Sequence, residues 1–253
     1  MQREPQEAAK TSRSQTLREG HRKRLREKFL KSGLAGAHDY EIVELLLTLG
    51  STRGDCKPQA KEAIKRFKTL RGVLAASTEE LQEIEGIGPA SAFAIKLIQE
   101  VSQKFLKEQI LQKPFSKSSK EVFDYLYLSM RDRKKETFKV MFLNAQNQII
   151  EVEDLFEGTL NASAVYPREI IEKALKHNAA ALIFAHNHPS GSPEPSDNDK
   201  QVTQDLVSAA NTIQIRVLDH IIIGDNRYFS FADEGLIEKY DLDFLSLKAK
   251  RRL

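Results

Sequence analysis

The chain has 253 residues, of which 40% are hydrophobic and 30% charged, so it is long enough for one large or two small domains with a buried core. No apolar run approaches the length that spans a bilayer, and the polar N-terminus lacks the apolar segment of a secretory signal, so we expect neither a membrane nor a secreted protein. Cys56 is the only cysteine, which excludes an intrachain disulfide and favours a reducing, cytoplasmic compartment.

Positive charge is concentrated at the two ends of the chain. Residues 1–35 contain ten Lys or Arg against four Asp or Glu, and residues 247–253 contain four basic residues and no acidic one, although the net charge is only +3. Basic ends on an acidic body are typical of attraction to polyanions, but charged ends also simply solvate a chain. The composition leaves both interpretations open.

Residues 16–112 are predicted to form an all-helical domain, after an arm at 1–15 whose polar composition predicts disorder. A basic helix that carries Arg22, Lys23 and Arg24 opens the domain. Apolar positions at helical spacing, together with start and stop signals, predict further helices at 39–49, 57–67, from 72, from 77 and at 91–111.

A Gly86-Ile87-Gly88 turn lies between two of these helices, and the order helix, Gly-Ile-Gly, helix resembles a helix-hairpin-helix motif. Two glycines allow backbone N–H groups to approach a phosphate, and Pro89 suits the first position of the next helix. Such a contact would bind the DNA backbone without reading its sequence. A tight turn in a helical bundle and a protein-binding module are the alternatives.

A break in the helical pattern at 113–119 predicts a linker, and 120–240 predicts a second domain of mixed composition. Period-two apolar patterns and turn residues predict strands at 136–143, 148–152, 155–160, 179–184, 214–223 and 227–231, with helices at 120–130, 167–176 and 196–210. The expected fold class is therefore α/β (α+β), with a mixed sheet flanked by helices. Residues 241–253 form a basic C-terminal tail.

Two histidines, His186 and His188, follow the apolar strand at 179–184. Residues i and i+2 of a strand share a face, so both imidazoles can point the same way. A loop with three prolines follows, and Ser196 then fits a helix N-cap, which places Asp199 in the first helical turn. Imidazole and carboxylate together suit Zn²⁺, so this spacing predicts a metal site.

The spacing His-x-His, seven residues, Ser, two residues, Asp resembles the signature of the JAMM (MPN-plus) metallopeptidases, whose fold is similar to that of cytidine deaminases. The fuller string Ala-His-Asn-His-Pro-Ser-Gly, with Pro-Ser-x-x-Asp, is similar to the RadC family, the bacterial branch of that fold. The resemblance extends from about Gly20 to Ile237.

The resemblance implies one zinc per chain, held by His186, His188 and Asp199, and hydrolysis of a peptide or isopeptide amide in a protein or peptide substrate. Three protein ligands leave a position for water, whose pKa zinc lowers to about 7. The resemblance also implies that Glu136, just ahead of the first strand of the sheet, is the general base and that Ser196 stabilises the oxyanion.

A DNA-associated protein with a regulatory or idle metal site is the alternative function, since the RadC name carries a DNA-repair association. Four further polar residues leave their roles open. His177 fits a helix C-cap, Arg168 a salt bridge or a substrate contact, and Asp219 and His220 a structural hydrogen bond or support of a metal-binding histidine.

Overall fold

The computed structural model describes residues 20–51, 55–158 and 165–250, and of residues 116–119 it describes the backbone alone. The chain divides into two compact units, with the division between Ser102 and Gln103. None of the helices in these described ranges is long and apolar enough to cross a membrane. The predicted arm at 1–15 lies outside the described residues.

The first unit is helical, as predicted. Its helices are α1 at 20–32, α2 at Asp39–Gly50, α3 at Lys57–Phe67, α4 at Leu70–Ala75, α5 at Thr78–Gln82 and the first part of α6 at Pro89–Ile110. Local signals set several ends: Pro58 lies in the first turn of α3, and Ser77 caps α5 by accepting from the Glu80 N–H while Glu80 accepts from the Ser77 N–H. An apolar core joins α2 to α6, built on Val43, Ala60, Val73, Leu81 and Ile95.

The second unit contains a five-stranded sheet in the order β2-β1-β3-β4-β5. Its strands are β1 at Thr137–Leu143, β2 at Ile149–Glu157, β3 at Ala181–Asn187, β4 at Arg216–Ile223 and β5 at Tyr228–Ser230. Only the pairing of β3 with β4 is parallel, and all other pairs are antiparallel, so the predicted mixed sheet is confirmed.

Helices cover both faces of this sheet: α7 at Phe115–Met130, α8 at Pro167–Lys176, α9 at Asp197–Thr212 and α10 at Leu236–Lys250. Strand alternation divides the core in two. On β1, Phe138, Val140 and Phe142 join the cluster that includes residues of α8, α9 and α10, whereas Met141 and Leu143 join the cluster that includes residues of α7. The buried pattern of β1 and β3 follows from this double cover.

Two predicted boundaries are wrong. The stretch 113–119 is not a linker, because α7 begins at Phe115 with Pro114 as its N-cap. Residues 155–157 of the strand predicted at 155–160 are the end of a single long β2, in which Lys139 and Arg133 hold Asp154, and residues 159–160 lie outside the described residues. Residues 241–250 of the predicted basic tail belong to α10, and residues 251–253 are not among the described ones.

Candidate metal centre

The two histidines lie at the carboxyl end of β3, at the edge of the sheet where the chain leaves for α9. His186 is buried on the same side of the sheet as Phe184, as the period of a strand requires. His188 is the first residue beyond the strand, and its N–H donates to the Ile223 carbonyl at 3.0 Å. This bond extends the parallel pairing with β4 by one step and fixes the second histidine beside the first.

The loop after His188 packs closely on the turn that follows β4. The Asp225 N–H donates to the Gly191 carbonyl at 2.7 Å, and Arg131 donates to the Asp225 carboxylate at 2.8 Å. Gly224 allows this approach, because a Cβ there would lie 2.5 Å from the Gly191 oxygen and 2.8 Å from the Pro193 nitrogen. Contacts with Asp225 therefore fix the loop at 189–195, which leads from His188 to α9.

Ser196 and Asp199 form a capping pair at the start of α9. The Asp199 N–H donates to Ser196 Oγ at 3.1 Å, and Asp199 Oδ2 accepts from the Ser196 N–H at 2.8 Å. Ser196 Oγ also donates to Oδ2 at 2.6 Å. The cap thus fixes Oδ2 on the side of His188 and leaves Oδ1 facing His186.

The three predicted ligands come together. His186 Nε2 lies 3.0 Å from His188 Nε2 and 3.2 Å from Asp199 Oδ1, and His188 Nε2 lies 3.4 Å from Asp199 Oδ2. We call His186, His188 and Asp199 the metal group. Among the described residues they are the one set of His, Cys, Asp or Glu side chains whose ligand atoms lie close enough together to hold a metal ion.

A chain of buried hydrogen bonds selects the tautomer of His186. The Thr203 hydroxyl donates to the Asp199 carbonyl at 2.5 Å, so its oxygen accepts from His220 Nδ1 at 2.6 Å. His220 Nε2 then carries a lone pair, which accepts from His186 Nδ1 at 2.8 Å. The remaining nitrogen, His186 Nε2, is left as a lone pair that faces the other two ligands.

A single hydrogen bond selects the same tautomer of His188. Its Nδ1 donates to the Ser192 carbonyl at 2.8 Å, which leaves Nε2 without a hydrogen. Two lone pairs facing each other beside a carboxylate repel unless a cation lies among them, either a metal ion or a proton. The hydrogen-bond pattern of the neutral rings is therefore that of a cation site.

The electrostatics of the group agree with this pattern. When a proton is the cation among these atoms, an imidazole can donate to Asp199. Burial opposes ionisation of this carboxyl, but hydrogen bonds with His186 and His188 outweigh burial and hold its pKa well below its usual range. Burial lowers the pKa of His186 and lowers that of His220 further, so both rings stay neutral. The hydrogen bond to Asp199 raises the pKa of His188, which makes this ring the one where a proton competes with a metal.

Replacing Thr203 with Val should loosen the tautomer selection and weaken metal binding. Without the hydroxyl, His220 Nδ1–H loses its acceptor, and His186 is no longer confined to the Nδ1–H form. We expect zinc affinity to fall by about 10–100-fold, the usual effect of losing a partner of a metal-binding histidine. Chelator competition measures the affinity, and ¹⁵N NMR of the metal-free protein reports which ring nitrogens carry hydrogen.

Thr212→Val on the same helix is the matched control, because its hydroxyl also donates to the carbonyl four residues earlier, Ser208 at 2.8 Å, but touches no histidine. Equal zinc affinity in the Thr203 variant, the Thr212 variant and the wild type would show that the chain of hydrogen bonds does not prepare the site.

Glu136 lies beside the metal group. Phe138 pairs with His186 across β1 and β3, and continuing that antiparallel register by two residues places Glu136 opposite His188. Glu136 is half-buried and contributes to the electrostatic environment of both histidines. It lines an open cleft of about 500 Å³ together with Lys134, Lys135, Gly158, Pro189 and Ser190.

The other candidates have structural partners. His177 ends α8 and lies 2.7 Å from Glu153, and Arg168 stacks over the Tyr166 ring at 5.1 Å. Asp219 accepts from Ser230 Oγ and from two backbone N–H groups, and burial raises its pKa to about 6. His220 alone of these four contacts a metal ligand, and Thr203, which completes its chain, had no signal in the sequence.

The residues predicted to contact DNA all lie in the first unit. Arg22 is half-buried and donates to the Ser51 carbonyl at 3.1 Å and to Cys56 Sγ at 3.2 Å, whereas Lys23 and Arg24 are exposed. Gly86 has φ +88° and Gln59 packed against it, while a Cβ at Gly88 would meet open space. Four glutamates precede this turn within seven residues of Gly86: Glu79, Glu80, Glu83 and Glu85.

Comparison with known proteins agrees with the division of the chain. Residues 116–236 match the RadC-like JAB domain, and residues 19–93 match the UPF0758 N-terminal family. A UPF0758 protein of Nitrosospira multiformis is 41% identical over 214 residues, which cover 85% of this chain and 96% of that protein. UPF0758 proteins of Pseudoalteromonas translucida and Pasteurella multocida are 41% and 38% identical, covering 85% and 84% of this chain and 96% and 95% of their own lengths.

Proposed function

Because the chain belongs to the UPF0758 family and carries its RadC-like JAB domain, we propose that it is a zinc-dependent hydrolase of peptide or isopeptide amide bonds. One observation carries the proposal: two imidazole lone pairs and a carboxylate converge beside a cleft that Glu136 lines. A cytoplasmic location is part of the proposal and follows from the cysteine content.

The donor set fits zinc. With zinc–nitrogen distances of about 2.0–2.1 Å, the ligand atoms of a tetrahedral site lie about 3.3 Å apart. His186 Nε2 lies 3.0 Å from His188 Nε2 and 3.2 Å from Asp199 Oδ1, close to that spacing, and one ligand atom from each of the three residues lies within 4.8 Å of the others. Two nitrogens and one oxygen leave a fourth position open, which is typical of catalytic zinc and differs from the closed four-ligand structural sites.

Proton transfer and metal binding are assigned to different residues of the chain. When bound, zinc supplies a nucleophile at neutral pH by lowering the pKa of water to about 7. Glu136 takes the proton of that water and returns it to the leaving amine, because a general base must be within reach of both. Asp199 and the two histidines keep their lone pairs on the metal, since hydrogen bonds occupy their other polar atoms.

Ser196 has a second part in this proposal. Its hydroxyl stabilises the oxyanion that forms when the amide carbon becomes tetrahedral. In the structure the Ser196 hydroxyl donates to Asp199 Oδ2, with 2.6 Å between the two oxygens, so it must turn away from the carboxylate to donate to the substrate.

Cleavage profiling tests the activity on an unselected mixture of substrates. A pool of peptides from a digested proteome is incubated with zinc-loaded protein, with chelated protein and with the Glu136→Gln variant, and new termini are identified by mass spectrometry. The proposal expects termini that appear with the loaded wild type alone. Identical termini in all three samples would point to a contaminating protease and count against it.

The second candidate function is sequence-independent DNA binding by the first unit, and one observation favours it. Exposed Lys23 and Arg26 line a cleft of about 520 Å³ together with Arg22, Glu27, Leu30, Thr48 and Ser51. A phosphate backbone fits such a basic cleft. The glutamates near Gly86 and Gly88 repel phosphate, so this candidate depends on α1 more than on the glycine turn.

If α1 binds phosphates, the affinity of the full chain for duplex DNA should fall steeply with salt. Neutralising Lys23 and Arg26 with Gln should reduce the slope of log affinity against log salt by about two, since each lost phosphate contact changes it by about one. Gln at Lys176 and Lys239, exposed lysines outside both basic ends, is the control. Absence of binding at low salt, where electrostatic attraction is strongest, would remove DNA as a partner and favour protein docking.

A further inference from the structure

Asn187 is the last residue of β3 and lies between the two histidine ligands in sequence. Its side chain is fully buried and points away from the metal group, as alternation along a strand requires. Neither the metal chemistry nor the apolar core explains an amide there. Burying an amide is costly unless its hydrogen bonds are made, so its partners indicate what it does.

Every partner of the Asn187 amide belongs to the segment that carries Glu136. Oδ1 accepts from the Thr137 N–H at 2.8 Å, and Nδ2 donates to the Lys135 carbonyl at 3.2 Å and to the Arg133 carbonyl at 3.3 Å. One acceptor meets a donor and the amide hydrogens meet two carbonyls. The opposite orientation of the amide would set like against like, so the assignment of oxygen and nitrogen is unambiguous.

These bonds hold the two peptide groups on either side of Glu136. The Lys135 carbonyl belongs to the peptide that precedes Glu136, and the Thr137 N–H belongs to the peptide that follows it. The Glu136 carbonyl, in that second peptide, also accepts from the Gly158 N–H at 2.9 Å. Both backbone dihedrals of Glu136 are thereby fixed, and with them the direction in which its side chain leaves the chain.

We propose that Asn187 is a positioning residue, which fixes Glu136 relative to the metal group. Because Asn187 is bonded covalently to His186 and His188, its amide makes the two ligands and the base segment one rigid unit. A small misplacement of a general base lowers the rate sharply, so a fixed distance between base and metal has functional value. The inference rests on the proposed function, because that function gives Glu136 the role of general base.

The alternative is that Asn187 only stabilises the start of β1. The two roles differ in what happens near the metal when Asn187 changes. A residue that merely stabilises the strand would alter folding but not the ionisation that Glu136 controls at the metal. Cobalt(II) in place of zinc makes that ionisation visible, because zinc has a filled d shell while cobalt has visible absorption bands that respond to a change in its surroundings.

The experiment follows the cobalt spectrum against pH in the full-length wild type and in variants. Glu136→Gln defines the effect of losing the base. Asn187→Leu keeps the size of the side chain without adding a charge, and Asn187→Ala truncates it. Both variants lose all three hydrogen bonds. Asn144→Ala is the matched control: it lies just beyond the other end of β1 and also makes three hydrogen bonds, to the Gln146 and Gln148 N–H groups and to the Gln148 side chain.

We expect Glu136→Gln to move the midpoint of the spectral transition by about one pH unit or more, the usual effect of one nearby charge. Both Asn187 variants should move it in the same direction with cobalt still bound, and Asn144→Ala should leave it unchanged. Adding Asn187→Ala to Glu136→Gln should produce no further shift, because a residue that acts through Glu136 has nothing left to act on.

The outcomes separate this inference from the proposed function. If the wild type has no transition, or if Glu136→Gln leaves it in place, the assigned role of Glu136 fails and the inference fails with it. If Glu136→Gln moves the midpoint and the Asn187 variants do not, the positioning role alone is overturned. Loss of cobalt by both Asn187 variants, while Asn144→Ala retains it, would assign Asn187 to the stability of the site and also overturn the positioning role.

Discussion

Replacing Glu136 with Gln should leave the fold and the zinc content unchanged and lower the rate of amide hydrolysis by about a hundredfold or more, the usual contribution of a general base. Gln has the size of Glu but cannot take a proton at neutral pH. Glu136 is half-buried at the wall of the cleft and opposite His188, so the change removes a proton acceptor without opening a cavity. Initial rates on a peptide found by cleavage profiling measure the effect.

Glu157→Gln is the matched control for this prediction. Glu157 is an exposed carboxylate that pairs with Lys135 at 3.3 Å and lies opposite Thr137 in the register of β1 and β2. The same substitution at this neighbouring position should change the rate by less than about twofold, as expected for a surface ion pair of low energy. Wild-type rates in the Glu136 variant would show that the base is a different residue.

Zinc should be lost when a ligand is removed. The wild type should bind about one zinc per chain, and His186→Ala or Asp199→Ala should lower the affinity more than about a hundredfold, because losing even an outer partner of a ligand costs about 10–100-fold. Elemental analysis after dialysis against a weak chelator measures the content. Asp199→Ala also removes the cap of α9, so Asp199→Asn, which keeps an oxygen for the Ser196 N–H, separates metal loss from helix fraying.

His177→Ala controls for the loss of a histidine elsewhere in the same unit. His177 lies against Glu153 and the Phe142 ring, with no contact to the metal group, so this variant should retain its zinc. Equal zinc in the wild type, in His186→Ala and in Asp199→Ala would contradict the assignment of the site.

The metal ligands could be predicted because their geometry is nearly local. His186 and His188 lie at the end of one strand, a proline-rich loop follows them, and an N-cap places Asp199 in the first turn of the next helix. The strand, the loop and the cap each have a signal in the sequence. Glu136 required one further step, the pairing of β1 with β3. The family resemblance gave the role of Glu136, whereas its place beside the histidines follows from a pairing that strand periodicity does not reveal.

The supporting residues could not be predicted, because each depends on a contact between distant parts of the chain. His220 meets His186 through the parallel register that sets Phe184 opposite His220, and Thr203 meets His220 through the packing of α9 on the sheet. Asn187 lies inside the metal-binding motif, yet its function is set by the segment at 133–137, which is fifty residues away. A single sequence carries no signal of such a contact.

The errors in the fold have related causes. Pro114 and the serines after it favour a helix start as much as a linker, and in the structure Pro114 is the N-cap of α7 and pairs with Gln148. The predicted strands stop at residue 152 and resume at 155, because the sequence does not show that the buried Lys139 of another strand neutralises Asp154. Arg22 donates to the Ser51 carbonyl and to Cys56 Sγ within its own unit, and its contact with a phosphate stays a prediction.

Metal restoration of activity tests the central claim most directly. The protein is stripped with a chelator, zinc is added in measured amounts, and cleavage of a peptide found by profiling is followed. We predict no cleavage by the stripped chain and a rate that rises to a plateau at about one zinc per chain, as expected for a three-ligand catalytic site. Cleavage by the stripped chain at the same rate as by the loaded chain would contradict the claim.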